Sequence, residues 1–237
     1  MRDGAILKAE GIEAGYGSIQ VLWGAGIFVP RGETVVLLGA NGAGKTTLLK
    51  VLMGLVPAWN GAIIFDGQEI TNVRTDRRVR AGMAYMSEIG CFPGLTIDEN
   101  IRIGGQFMSQ ADLRRRLVQL YETFPALAGR RHALASSLSG GQRKMLGIAK
   151  ALAGNPRLVV MDEPSSGLSP LLVKEVLGVL AEFARQGLSL LIAEQNVNFL
   201  KLASRVFILA GGRIGFEGTV DELHADDALQ REYFGLK

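Results

Sequence analysis

GANGAGKTT, residues 39–47, follows the apolar run TVVLL (34–38) and leads into TTLLKVLMG (46–54), which has the spacing of a helix. Strand, glycine-rich loop, lysine, threonine and helix coincide in the pattern GxxxxGK[ST]. Glycines let backbone N–H groups curl around phosphates, and the helix N-terminus adds its partial positive charge. Gly39, Ala40, Asn41, Gly42, Ala43 and Gly44 form the expected cradle, followed by Lys45, Thr46 and Thr47. Lys45 is placed to reach the β and γ phosphates and Thr46 to ligate Mg2+. Such a loop serves kinases, GTPases and helicases alike, so it predicts the nucleotide site and leaves the function open.

Working outward, AIIF (62–65), RLVVM (157–161), LSLLIA (188–193) and RVFILA (205–210) are further β-rich runs. Being apolar on both faces, they are expected in a parallel sheet covered by helices on each side. Residues 170–186 carry Val173, Val176, Leu177, Leu180, Phe183 and Ala184 at helical spacing, after Ser169 as cap and Pro170 in the first turn. Leu113, Leu117, Leu120, Tyr121 and Phe124 form a second stripe, with Arg114, Arg115 and Arg116 mostly on its polar side. From about 88 to 153 the patterns are helical, which predicts a helical lobe inserted into an α/β domain.

RLVVMDEP (157–164) ends a buried strand in two adjacent carboxylates, costly unless each has a partner. Asp162 would hold Mg2+ and Glu163 would orient or deprotonate the water attacking a γ-phosphate; an acidic cap at a strand-to-helix turn is the plain alternative. In LASSLSGGQRK (134–144), Ser139, Gly140, Gly141 and Gln142 precede a helical stripe of Met145, Ile148, Ala149 and Leu152. Free N–H groups and a hydroxyl there could face a second anion, or the residues could form only a helix cap.

The chain has 237 residues and 48% hydrophobic content, enough for a large core. Its 26 Lys and Arg against 23 Asp and Glu are too close to balance to imply a nucleic-acid partner. The single cysteine, Cys91, excludes an intramolecular disulfide and fits a reducing compartment, and two distant histidines make a poor zinc site. No signal peptide is expected, and no apolar run approaches the ~18 residues that span a bilayer. A cytoplasmic protein, reaching the membrane only through a partner, is the expectation.

The phosphate loop, LSGGQ and a strand ending in DEP together resemble the ATP-binding cassette family, over about residues 5–236. The resemblance implies a P-loop NTPase (RecA-like) core with a mostly parallel sheet, an N-terminal antiparallel β subdomain and an inserted helical subdomain. The expected boundaries are a single domain, 1–237, with its core in 1–87 and 154–237 and the helical subdomain in 88–153. It further implies ATP and Mg2+, and a second cassette paired head to tail so that the LSGGQ of one closes over ATP held by the other. Tyr16 in GYGSIQVL matches the aromatic that stacks on adenine, although a lone tyrosine is also an ordinary packing residue. SSGLS (165–169) matches the loop that crosses the dimer interface.

The family usually places glutamine after the strand GMAYM and histidine after a later core strand; here these positions hold Glu88 and Gln195. AEQN, FPGLTIDEN and EYFGL are similar to stretches of the LivF-type ATPases of branched-chain amino acid importers, whereas SEIGCFP (87–93) lacks that subgroup's proline and arginine. Glu88 could ligate Mg2+ or be a solvated loop acid. Gln195, at the end of LLIAEQN (190–196), could hydrogen-bond the γ-phosphate but cannot act as a base; Glu194 and Asn196 are expected to be structural. The implied protein is the ATPase of an importer, peripheral on the inner membrane face, with segment 88–105 meeting permease subunits and a substrate-binding protein acting outside. The alternatives are an amide or urea importer ATPase, or a soluble single-cassette ATPase of an assembly system.

Overall fold

The computed structural model describes residues 4–226 and Leu229; the EYFGL stretch (232–236) lies outside them. Two sheets share one helix. The first is antiparallel: β1 (Ala5–Tyr16) and β2 (Ile19–Pro30) form a hairpin, β4 (Asn60–Phe65) pairs with β1, and β5 (Gln68–Glu69) pairs with β4. The hairpin closes by pairing Tyr16 with Ile19 across two residues, and Gly17, at φ 58°, supplies the positive φ that such a turn requires.

The second sheet contains β3 (Thr34–Leu38), β6 (Met83–Met86), β7 (Leu158–Asp162), β8 (Ser189–Glu194), β9 (Arg205–Ala210) and β10 (Arg213–Gly218). Its order is β10-β9-β3-β8-β7-β6, with β9 to β6 parallel and β10 antiparallel at one edge. Alternate residues of its central strands enter two different cores. Val36, Leu38, Val159, Met161, Leu190 and Ile192 face one, while Val35, Leu37, Leu158, Val160, Leu191 and Ala193 face the other. That is why these runs are apolar at every position, each fully buried side chain contributing roughly 1.5–3 kcal/mol relative to exposure.

Helix α1 (Lys45–Leu52) lies in the second core, between the two sheets. The first core takes the stripe of α7 (Pro170–Arg185), with Val173, Val176, Leu180 and Phe183 buried as the spacing predicts and Ser169 capping through the Leu172 amide. The remaining described α-helices are α2 (Thr75–Arg80), α3 (Ile97–Gly104), α4 (Gln110–Thr123), α5 (Pro125–Ala128), α6 (Gly140–Ala153) and α8 (Val220–Ala225), with 3-10 turns at Ala135–Ser137 and Val197–Leu202. Between Met86 and Leu158 every described element is helical apart from a single bridge, Thr96 to Leu134.

Two expectations need correction. AIIF is part of β4 in the antiparallel sheet, because only one of its faces is fully covered: Ile63 and Phe65 are buried while Ala62 and Ile64 are partly exposed. Arg116 does not belong with its exposed neighbours. It reaches back to donate to the Leu152 carbonyl at 3.0 Å and lies over the Phe183 ring, bridging α4, α6 and α7.

Candidate nucleotide site

The candidate site sits at the carboxyl ends of β3, β7 and β8, where open parallel sheets place their ligand crevices. After β3 the loop 39–44 turns into α1 through Gly44, whose φ of 107° is closed to most side chains. Gly39 is required for a different reason: a Cβ there would lie 2.5 Å from the Leu209 carbonyl oxygen. Lys45 is 4% exposed and donates to the carbonyls of Gly39 (2.8 Å) and Ala40 (3.2 Å). The loop therefore holds its cation inside its own arc, beside a cleft of ≈ 240 Å³ lined by Val21, Asn41, Thr46, Thr47 and Glu163 among others.

At the end of β7, Asp162 is 3% exposed and accepts from Thr46 Oγ1 (3.1 Å) and Tyr85 Oη (3.2 Å). Burial raises its pKa, the two hydroxyls lower it, and the charges of Glu163 and Glu88 raise it again. The Tyr85 phenol is pushed well above its ordinary value by burial and by Asp162. Sequence reasoning missed Tyr85, because β6 and β7, far apart in sequence, become neighbours only in the folded sheet.

The oxygen pair of Thr46 and Asp162 fits Mg2+, a hard cation commonly held by one or two carboxylates together with substrate phosphates. Among the described residues no group of three His, Cys, Asp or Glu is placed to hold a metal, so phosphate and water would complete the shell. Glu88 is exposed, and its influence at Asp162 is electrostatic.

Glu163 follows with φ 47°, a left-handed conformation that costs a side-chain-bearing residue roughly 1–2 kcal/mol. Its amide donates to Ala193 O (2.9 Å), and its carbonyl accepts from Ser166 N (3.2 Å) and Lys144 Nζ (2.9 Å). These bonds hold the strained turn and aim the carboxylate back at the phosphate loop, with Oε1 3.4 Å from Lys45 Nζ.

From the tip of β8, Gln195 Nε2 donates to Glu163 Oε1 (3.0 Å) and Asn41 Oδ1 (2.6 Å). Glu194 is 2% exposed and works on the backbone, accepting from the amides of Ser165, Gln195 and Asn196. It ties the 165–169 loop to β8, and Asn196 caps the following turn through the Asn198 amide. Tyr16, half exposed on the antiparallel sheet, has its hydroxyl 3.4 Å from Thr47 Oγ1, which places its ring beside the loop.

Ser139, Gly140, Gly141 and Gln142 lie outside that cleft, at the start of α6. Ser139 Oγ accepts from the Gln142 amide while the Gln142 side chain accepts from the Ser139 amide, a closed capping box. The cap reading is thus realised, and the Gly140 and Gly141 amides remain at the helix start. Gly141 is pressed against α7, where an added Cβ would fall 2.3 Å from Leu172 Cδ1. A separate groove of ≈ 990 Å³ that includes residues of α4 and α7 contains none of the predicted site residues.

The family profile described as "ABC transporter" matches residues 24–166. Over 97% of this chain and 100% of the relative, the sequence is 35% identical to the high-affinity branched-chain amino acid transport ATP-binding protein BraG of Pseudomonas aeruginosa. It is 33% identical to the lipopolysaccharide export system ATP-binding protein LptB of Haemophilus influenzae, over 98% of both chains. A solved ATP-binding cassette of an ABC transporter in its ADP conformation superimposes with a TM-score of 0.84, at 26% identity over 98% of this chain and 99% of that one.

Proposed function

The chain belongs to the ABC transporter family and is an ATPase cassette of that family, and from this premise we propose that it energises the uptake of branched-chain or related amino acids. The convergence of Lys45, Thr46, Asp162, Glu163 and Gln195 at the carboxyl ends of β3, β7 and β8 carries the catalytic part of the reading. The full-length likeness to BraG, at 35% identity, supports the choice of solute.

In the proposed mechanism Tyr16 stacks on adenine and the amides of residues 39–47 wrap the phosphates, with Lys45 neutralising β and γ oxygens. Thr46 and Asp162 would hold Mg2+, with Glu88 as a further carboxylate at that side. Bound there, Mg2+ would supply positive charge to offset the negative charge that develops on the phosphate. Glu163 orients the attacking water, and Gln195 donates a hydrogen bond toward the γ-phosphate. A second cassette, identical or related, supplies its own Ser139–Gln142 segment across the phosphates, with SSGLS at the seam.

The proposed boundaries are a core of 1–87 and 154–237 and a helical subdomain of 88–153. No described helix is long and apolar enough to cross a membrane. We place the protein on the inner membrane face against separate permeases, with a substrate-binding protein acting outside. Within 88–105, Ile89 is 74% exposed and Phe92 48%, an apolar surface suited to a permease loop.

The likeness to LptB supports a second reading, export of a lipid-linked substrate. Co-purification with the permease and reconstitution in proteoliposomes separates the two. Stimulation of ATP hydrolysis by leucine, isoleucine or valine with their binding protein supports import, and stimulation by an amide or urea would reassign the solute. Lipid extraction without amino-acid stimulation would overturn the import reading.

A further inference from the structure

Lys144, the fifth residue of α6, is 8% exposed, and its Nζ donates to the carbonyls of Glu88 (2.7 Å) and Glu163 (2.9 Å). Burial lowers its pKa, while the carboxylates of Glu88, Glu194, Glu163 and Asp162 raise it again. One ammonium thus joins the helix that begins at LSGGQ, the 87–93 loop and the residue after β7. The helix and the loop are already in close contact, since a Cβ on Gly147 would stand 2.9 Å from Gly90 Cα. Glu163 is the strained side of this junction, with its backbone left-handed at φ 47° and its carbonyl shared between Lys144 Nζ and the Ser166 amide.

We propose that Lys144 is a positioning residue for Glu163, fixing its carbonyl and thereby its carboxylate, and coupling both to the LSGGQ helix and the Glu88 loop. The proposal rests on the reading of Glu163 as the residue that orients the water. A shift of α6 or of the loop moves the ammonium, and with it the Glu163 backbone. Hydrolysis is therefore sensitive to both surfaces without either one touching the phosphates of its own cassette. Lys144 itself makes no contact with the reacting atoms.

The test uses the full chain with Lys144→Met, Lys144→Arg, Glu163→Gln and the double variant Lys144→Met/Glu163→Gln, reading kcat and KM for ATP and ATP affinity by calorimetry. Lys144→Met is expected to lower kcat roughly ten- to a hundredfold, the scale of a misplaced catalytic group, with KM and affinity within about twofold. Lys144→Arg recovers part of the loss, and the double variant is no slower than Glu163→Gln alone. Normal turnover in Lys144→Met, an equal loss of affinity, or a full additive loss in the double variant would each overturn the proposal while leaving Glu163 in its role. Normal turnover in Glu163→Gln would overturn both readings. Should Lys144→Met fail to fold, Lys144→Leu, which also lacks a donor toward the two carbonyls, decides on the same readouts.

Discussion

Gln195 Nε2 stands 3.0 Å from Glu163 Oε1, so an amide from the tip of β8 holds the carboxylate that follows β7. Its second bond, to Asn41 Oδ1, extends the link to the phosphate loop after β3. Three neighbouring strands of the sheet thus deliver one residue each to a short polar chain. An amide keeps this role at every ordinary pH, because it neither gains nor loses a proton. Of the three side chains only Glu163 carries an ionisable group.

Glu163→Gln is therefore expected to retain ATP affinity and lose roughly 10²- to 10⁴-fold in turnover, the usual scale for a positioned acid–base group. Calorimetry and steady-state hydrolysis measure the two separately. The variant should also stabilise the paired cassettes in ATP, read by gel filtration or light scattering. Hydrolysis at the normal rate would remove Glu163 from the mechanism.

The pH–rate profile of the native chain should show no ionisation from residue 195. Gln195→His adds one near pH 6.5, since a neutral imidazole there would be protonated as the pH falls. Gln195→Ala should slow hydrolysis with the membrane partner present. A rate equal to the native one in Gln195→Ala means that the amide has no part in the reaction.

The parallel strands were legible because both of their faces are buried, so TVVLL, RLVVM and LSLLIA announce themselves without reference to neighbours. The long strands β1 and β2 lie half on the surface, and register shifts at Ala9/Ile12 and Ala14/Gly15 break their alternation, which hides them from a period-two reading. The phosphate loop and the DE pair were visible because their chemistry is local in sequence. Lys144 and Tyr85 were not: a lysine on a helix and a tyrosine in a short strand become site residues only when distant segments close over them.

A clamp far from the nucleotide should control acid stability. Asp66, at φ 51° in the turn after β4, accepts from Arg31 and Arg157, and these hydrogen bonds lower its pKa. A carboxylate depressed in the folded state adds stability above its unfolded pKa and loses it as pH falls through the folded value. Asp66→Asn, which tolerates the same backbone, should melt below the native chain at pH 6, and the gap should shrink below about pH 4. Melting temperatures over pH 2–6 check this; a gap that widens in acid would exclude the clamp.

Arg78 should matter to stability more than an arginine ordinarily does. It is 2% exposed, and its guanidinium donates to the carbonyls of Val51, Leu52, Thr71 and Val73, supporting the C-terminus of the helix that begins with Lys45. Burial pulls its pKa down to about 10, which still leaves it charged at neutral pH. In Arg78→Met the volume is kept but the donors are lost, and each buried acceptor left unpaired costs roughly 1–3 kcal/mol. The Val51 carbonyl keeps the Gly54 amide, so the loss falls on Leu52, Thr71 and Val73, and a drop in melting temperature of at least about 6 °C is expected for a chain of this size. Retention of the native melting temperature would show that these carbonyls find other donors.

Lys45→Ala is expected to weaken ATP binding roughly ten- to a hundredfold, since a hydrogen bond to a charged group contributes about 1.5–3 kcal/mol. The loss has two sources. The phosphates lose their buried cation, and the Gly39 and Ala40 carbonyls lose the donor that holds the arc of the loop. Glu163 also loses the ammonium 3.4 Å away, leaving Gln195 as the partner of Oε1. The comparison belongs in a Glu163→Gln background, where slow hydrolysis keeps ATP intact during calorimetry. Lys45→Arg should not restore affinity, because a planar guanidinium is wider than the ammonium that fits inside this arc. Unchanged affinity in Lys45→Ala would mean that the backbone amides alone hold the phosphates, and the cation would have to be assigned to the Glu163 turn instead.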